Sequence, residues 1–139
     1  MKNLFLILLG AGLFLTLQVN AKSAPWLQTA EGQLSCVKLT VDNSDFKVVT
    51  ADGQEKSLPV TSVMSYSVNN KLYVKLPLYI LEVKGEVFME FVRTRDDLKL
   101  FKYEVNGADR YFVYKGDKLY VPLNDSNKSA FEKFFFVRL

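Results

Sequence analysis

Three runs of alternating apolar and polar residues, separated by two turn signals, fill residues 98–123: LKLFKYEV, then NGAD, RYFVYK, GD and KLYVPL. Successive side chains of a strand point to opposite faces, so each run predicts a strand with one apolar side. With Asn106-Gly107-Ala108-Asp109 as a four-residue loop, Tyr103 sits opposite Phe112 and Phe101 opposite Tyr114. With Gly116-Asp117 as a two-residue turn, Tyr114 sits opposite Leu119 and Phe112 opposite Val121. Both turns then place Phe101, Tyr103, Val105, Phe112, Tyr114, Leu119, Val121 and Leu123 on one face. Lys102, Glu104, Lys115 and Lys118 fall on the other, with Tyr111, Val113 and Tyr120 among them. Two turns agreeing on one apolar face predict a three-stranded antiparallel meander.

The pattern extends upstream. Residues 34–41 alternate, with Val37, Leu39 and Val41 on one side, and Asp42-Asn43-Ser44-Asp45 ends the run with turn formers. A short strand over 46–50 precedes an Asp52-Gly53 hairpin signal, and 55–60 returns as its partner, with Pro59 ending it or confining it to an edge. Residues 60–65 read as a single helical turn or as a strand. Asn69-Asn70, a pair that tolerates positive φ, joins 66–68 to 71–76 in a tight hairpin. Pro77 separates that hairpin from the run 78–84, and a Lys84-Gly85 turn pairs this run with 86–93. Leu78, Ile80, Val87, Met89 and Phe91 then share a face. Thr94-Arg95-Asp96-Asp97 is a polar loop into the meander.

After Leu123 the period changes. Ser129 and Glu132 have capping-box spacing, and Phe131, Phe134 and Phe135 fall on one helical face. A helix from about Ser129 to the C-terminus is expected, with a last strand through Phe134-Phe135-Phe136 as the alternative. The expected fold is all-β, or β-rich with one C-terminal helix. It is a single antiparallel domain over 34–139, barrel-like or two-layered, with about seven to nine strands.

Residues 1–21 stand apart. Lys2 precedes an uncharged apolar run over 4–17, which ends at Val19-Asn20-Ala21. The run reaches about 21 Å as a helix, short of the roughly 30 Å of a bilayer core. That predicts a cleaved secretory signal, and hence a secreted or periplasmic chain not integral to the membrane after cleavage. Residues 22–33 read as an extended lead-in anchored by Trp26 and Leu27. Loss of the signal leaves 17 basic and 15 acidic residues. So small and interspersed an excess offers no electrostatic basis for nucleic-acid binding.

Composition narrows the chemistry. There is no histidine and a single cysteine, Cys36, which excludes a Cys–His nucleophile and removes the commonest general base and metal ligand. Cys36 reads as a buried thiol acting as a small apolar residue, with an intermolecular disulfide or a reactive thiol as the alternative. Phosphate-loop, zinc-spacing and nucleophile-elbow motifs are missing. Glu82 and Glu90 fall on opposite faces in the expected register, and Asp42, Asp45, Asp96 and Asp97 are ordinary turn residues. No catalytic residue, metal or cofactor is assigned, and the expectation is a protein that is not an enzyme. Tyr73, Tyr111 and Tyr120 share faces with lysines and are the candidate ligand-binding residues. Such rings can offer a sugar or peptide both apolar area and a hydroxyl, unless a helix or second sheet covers them.

The segments DGQEKSLPVTSVMSY, FMEFVRTRDDLKLFKYEV and RYFVYKGDKLYVPLND lie between a signal peptide and a Phe-rich end. In this order they resemble small secreted β-domain proteins of gram-negative bacterial envelopes. The matching positions are Leu98, Leu100, Phe101, Tyr111, Phe112, Gly116 and Leu119, within a likeness that covers about residues 46–135. These are structural residues, so the resemblance implies a periplasmic or cell-surface setting and brings no catalytic residue. The expected role is a binding or structural module of the envelope, its partner an envelope protein, a glycan or a peptide. The alternative is a carrier of a small apolar ligand, which requires a lined cavity of about 300 Å³ or more inside a β-barrel.

Overall fold

The computed structural model describes residues 23–139; the expected signal peptide lies outside them. The described chain is β-rich, with two antiparallel sheets and one short C-terminal helix. In chain order the strands are β1 (Trp26–Thr29), β2 (Gly32–Ser35), β3 (Lys38–Val41), β4 (Asp45–Val49), β5 (Glu55–Pro59), β6 (Val63–Val68), β7 (Lys71–Tyr79), β8 (Lys84–Arg95), β9 (Leu98–Val105), β10 (Ala108–Lys115) and β11 (Lys118–Pro122). A 3₁₀ turn, Val60–Ser62, precedes β6, and the helix α1 is Lys128–Phe135. The large sheet has the order β11-β10-β9-β8-β7-β6-β1-β2 and the small one β3-β4-β5.

The lead-in over 22–33 is not a bare extended segment. It contributes β1 and the first half of β2, because β1 has ladder partners on both sides, β2 and β6. The single strand expected over 34–41 is broken where the chain changes sheets. The Cys36 amide donates to Pro25 O at 3.0 Å, while the next amide, Val37 N, donates to Val49 O in the small sheet at 2.8 Å. Only Leu39 of its apolar set is buried; Val37 and Val41 are exposed.

Two hairpins turn elsewhere than expected. Asn106-Gly107, both at positive φ, is the β9–β10 turn, so Phe112 faces Phe101 and Tyr103 faces Arg110. The β7–β8 turn is Leu81-Glu82, with the Ile80 amide donating to Val83 O at 2.9 Å. Both registers differ from expectation by an even number of residues, which leaves every side chain on its expected face. Pro77 lies inside β7. It is tolerated there because β6 pairs only with Lys71 to Val74, so beyond Val74 one side of β7 carries no ladder. The third register is different: a bulge in β11 pairs Val121 with Val113. This odd shift moves Val121 and Leu123 to the opposite side of the sheet from Leu119.

Three cores result. One face of the large sheet is covered twice, at one end by the small sheet and at the other by α1. Under the small sheet, Leu39, Phe46 and Val48 pack on Leu27, Val63 and Tyr66. The Phe46 ring meets Tyr66 and Phe88 edge-on at 5.0 and 5.5 Å. Under α1, Phe135 packs on Leu100 and Val113. The other, concave face is enclosed by its own curl: β7 to β11 wrap around Leu78, Met89, Phe101, Phe112 and Tyr114. Tyr114 Oη donates to Pro77 O at 2.8 Å across this curl. β11 approaches β7 without pairing to it, so the barrel stays open.

The helix differs in detail from expectation. Asn127 is its N-cap, and Ser129 lies inside it, so no capping box forms. Phe136 ends it in the left-handed conformation (φ 55°), four residues earlier than expected. Arg93 Nη1 donates to Phe135 O and Phe136 O at 3.2 and 3.0 Å, and Arg95 donates to Phe134 O. These cations meet the unpaired carbonyls at the negative end of the helix dipole. Among the described residues no helix is long and apolar enough to cross a membrane.

Candidate functional site

The sequence-derived tyrosines are not gathered onto one surface. Tyr73 is part of the core under the small sheet, its ring stacked on Tyr66 at 4.7 Å. Tyr111 packs in the core under α1. Tyr120 is 60% exposed on the edge strand β11. Tyr73 and Tyr111 do share one cross-strand row, Tyr73–Glu90–Lys102–Tyr111, three strand spacings or about 14 Å apart.

Ion pairs occupy the carboxylates. Glu90 binds Lys102 at 3.1 Å and Lys71 at 3.6 Å on the covered face, and its hydrogen bond holds the Lys102 ammonium above its ordinary range. Glu82 binds Arg110 at 3.4 Å on the concave side. The two glutamates do lie on opposite faces, each already paired. Cys36 is buried, with its thiol 3.4 Å from Pro25 O, and burial pushes its pKa up, the reverse of a reactive cysteine. Among the described residues no three of His, Cys, Asp or Glu are grouped to hold a metal.

The open surface lies on the concave side, where neither α1 nor the small sheet reaches. Alternation through β7 sends Lys71 and Tyr73 to the covered face and Leu72, Val74 and Leu76 to the concave one. Trp26 pairs with Ser67, which pairs with Leu72; Gln28 pairs with Ser65, which pairs with Val74. Two serines on β6 therefore lie between bulkier neighbours on β1 and β7; Ser67 is buried between Trp26 and Leu72, and the small Ser65 leaves a trough between Gln28 and Val74.

The trough has two halves, each open to solvent, that share Leu72, Val74 and Lys75 in their walls. One, of about 550 Å³, is lined by Trp26, Gln28, Met64, Ser65, Leu72 and Val74. The other, of about 410 Å³, continues over Leu72 and Val74 to Leu76, Phe91 and Phe101, with Lys99 and Asp117 at its rim. Lys75 borders both. Its ammonium is held by Val60 O at 2.9 Å and Thr61 O at 3.2 Å, so it fixes the 3₁₀ turn beside the trough. A third depression, of about 430 Å³, lies on the outer side of the small sheet among Lys38, Thr40, Lys47 and Ser57.

Sequence reasoning missed the trough. Its one local signal is the pair Ser65 and Ser67, where alternation puts small polar residues between Trp26 and Leu72. Compared with known proteins, the chain matches no family model, no curated protein and no solved structure.

Proposed function

We propose that this chain is a non-catalytic binding module of the bacterial cell envelope, secreted or periplasmic, whose trough holds an extended peptide segment with apolar side chains. The observation that carries this reading is a pair of adjacent depressions that share Leu72 and Val74 and together reach from Trp26 to Phe101. Apolar walls with a few polar groups at the rim suit a ligand that buries side chains while its backbone stays solvated. The ion pairs of Glu82 and Glu90 support a non-catalytic role, since neither carboxylate is free for acid–base work.

Trp26 is the only tryptophan, so its fluorescence reports on the trough directly. The mature chain, titrated with peptides from envelope proteins, should show a saturable shift of Trp26 emission. Val74→Glu should abolish that shift with the circular dichroism unchanged, and Tyr120→Ala should preserve it. Absence of any shift across the peptides, or equal binding by Val74→Glu, would refute the reading. A second reading, a carrier of a small apolar molecule, is favoured by the volume of each half, which lies within the range of small-ligand pockets. It predicts that a free fatty acid, rather than a peptide, moves the same signal.

A further inference from the structure

The tip of the β7–β8 hairpin carries Tyr79 at 70% and Leu81 at 90% exposure, the most exposed leucine among the large apolar residues of the described chain. Its neighbours Ile80 and Val83 turn inward onto the concave core, and Leu81, at the turn between them, projects into solvent. Turn chemistry does not explain a leucine there. Of the five other hairpins of the same sheet, four turn through Asn69-Asn70, Asp96-Asp97, Asn106-Gly107 and Gly116-Asp117, residues suited to turns, and one through Ala30-Glu31; only this one places a large apolar residue, Leu81, in the turn. Tyr79 is paired directly across the hairpin with Lys84. The one acid at the tip, Glu82, has its charge offset by Arg110 at 3.4 Å.

We propose that this tip is a lipid-contacting anchor: Leu81 enters the acyl boundary of an anionic bilayer surface, Tyr79 lies at the headgroup level, and Lys84 faces the lipid phosphates. A tyrosine has an apolar body and a polar end, which suits the membrane–water interface, and a lysine can lay its stem along apolar surface while its ammonium meets phosphate. Pairing of Glu82 with Arg110 matters because a free carboxylate at the tip would be repelled by an anionic surface. One leucine and one tyrosine give weak, reversible attachment, weaker than that of a single acyl chain. The inference does not depend on the trough, which opens on a different part of the sheet.

The test is sedimentation of the mature chain with vesicles of phosphatidylethanolamine and phosphatidylglycerol, and with vesicles of phosphatidylcholine alone. The chain should co-sediment with the anionic vesicles. Leu81→Asp should lower partitioning at least about tenfold, as expected from losing the burial of one leucine side chain. Lys84→Gln should lower it about fivefold on anionic vesicles and leave binding to phosphatidylcholine unchanged, the effect of one juxtamembrane charge. Met64→Ser and Val74→Glu, which alter the trough, should bind vesicles as the parent does. Circular dichroism of Leu81→Asp should match the parent, because the side chain is almost wholly solvent-exposed. Failure of the parent to co-sediment, or parent-like binding by Leu81→Asp, overturns the proposal. Capture of an envelope protein through Leu81 without vesicle binding also overturns it and assigns the tip to a protein pocket.

Discussion

Phe135 and Phe136 are adjacent in sequence and opposite in consequence, which allows a sharp test of how α1 is held. Phe135 is fully buried on Leu100 and Val113, with Phe134 edge-on at 4.9 Å and Phe131 stacked at 6.3 Å. Phe136 is 71% exposed and touches chiefly Arg95, whose guanidinium lies 4.5 Å from its ring centre. A helix of eight residues has almost no stability alone, so packing must supply it. Phe135→Ala should therefore cost about 3–5 kcal/mol through lost burial and a residual cavity. Phe136→Ala should cost about 0.5–1 kcal/mol, the size of one exposed cation–π contact. Against a total of about 5–15 kcal/mol, the first is a large fraction. Urea unfolding followed by circular dichroism measures both, and should show a midpoint well below the parent for Phe135→Ala alone. If Phe135→Ala leaves too little folded protein, Phe135→Leu should retain the fold at a cost of about 1–2 kcal/mol. Equal costs at the two positions, or a loss under about 1 kcal/mol at Phe135, would refute the assignment of α1 as the cover of this face.

Three further outcomes follow from the buried polar groups. Tyr114→Phe deletes the hydroxyl that ties β10 to Pro77 O, and should lower unfolding free energy by about 1–2 kcal/mol, read from the same urea transition. Burial pushes both Tyr66 and Tyr114 up to about 12, Tyr66 with added repulsion from Tyr73. The unfolded chain releases these protons first, near 10, so stability is unaffected below about pH 10 and falls as pH rises towards 12; tyrosinate absorbance in an alkaline titration should show a late phase that Tyr66→Phe and Tyr114→Phe each diminish. Cys36, buried and with a raised pKa, should react with a thiol reagent at least about a hundredfold faster in denaturant than in the native chain.

Much of the fold was legible because a strand repeats every two residues. The turn between β9 and β10 was expected two residues too wide and that between β7 and β8 was placed at Lys84-Gly85. Even so, Leu78, Met89, Phe101, Phe112 and Tyr114 all reached the concave core. Val121 and Leu123 did not, since one bulge residue reverses the alternation that follows it. Nothing local in KLYVPL announces that bulge. The break at Cys36-Val37 did leave a trace, since the apolar positions change phase there, from Leu34 and Cys36 to Val37, Leu39 and Val41, where successive amides bond to different sheets.

The candidate site was the least legible part. The sequence by itself determined the antiparallel β class, the apolar side of most strands, the tight Asn69-Asn70 turn and a Phe-rich helical face at the end. Only the tertiary structure decided which layer covers which face. The small sheet takes Tyr73 into one core and α1 takes Tyr111 into another, while the trough beside Trp26 and the tip at Leu81 remain open. Alternation depends on the local backbone and can be read from neighbours along the chain. Cover depends on contacts between residues far apart in sequence: Phe135 seals Leu100 and Val113, Phe46 seals Tyr66, and Leu72 and Val74 are left only half-covered.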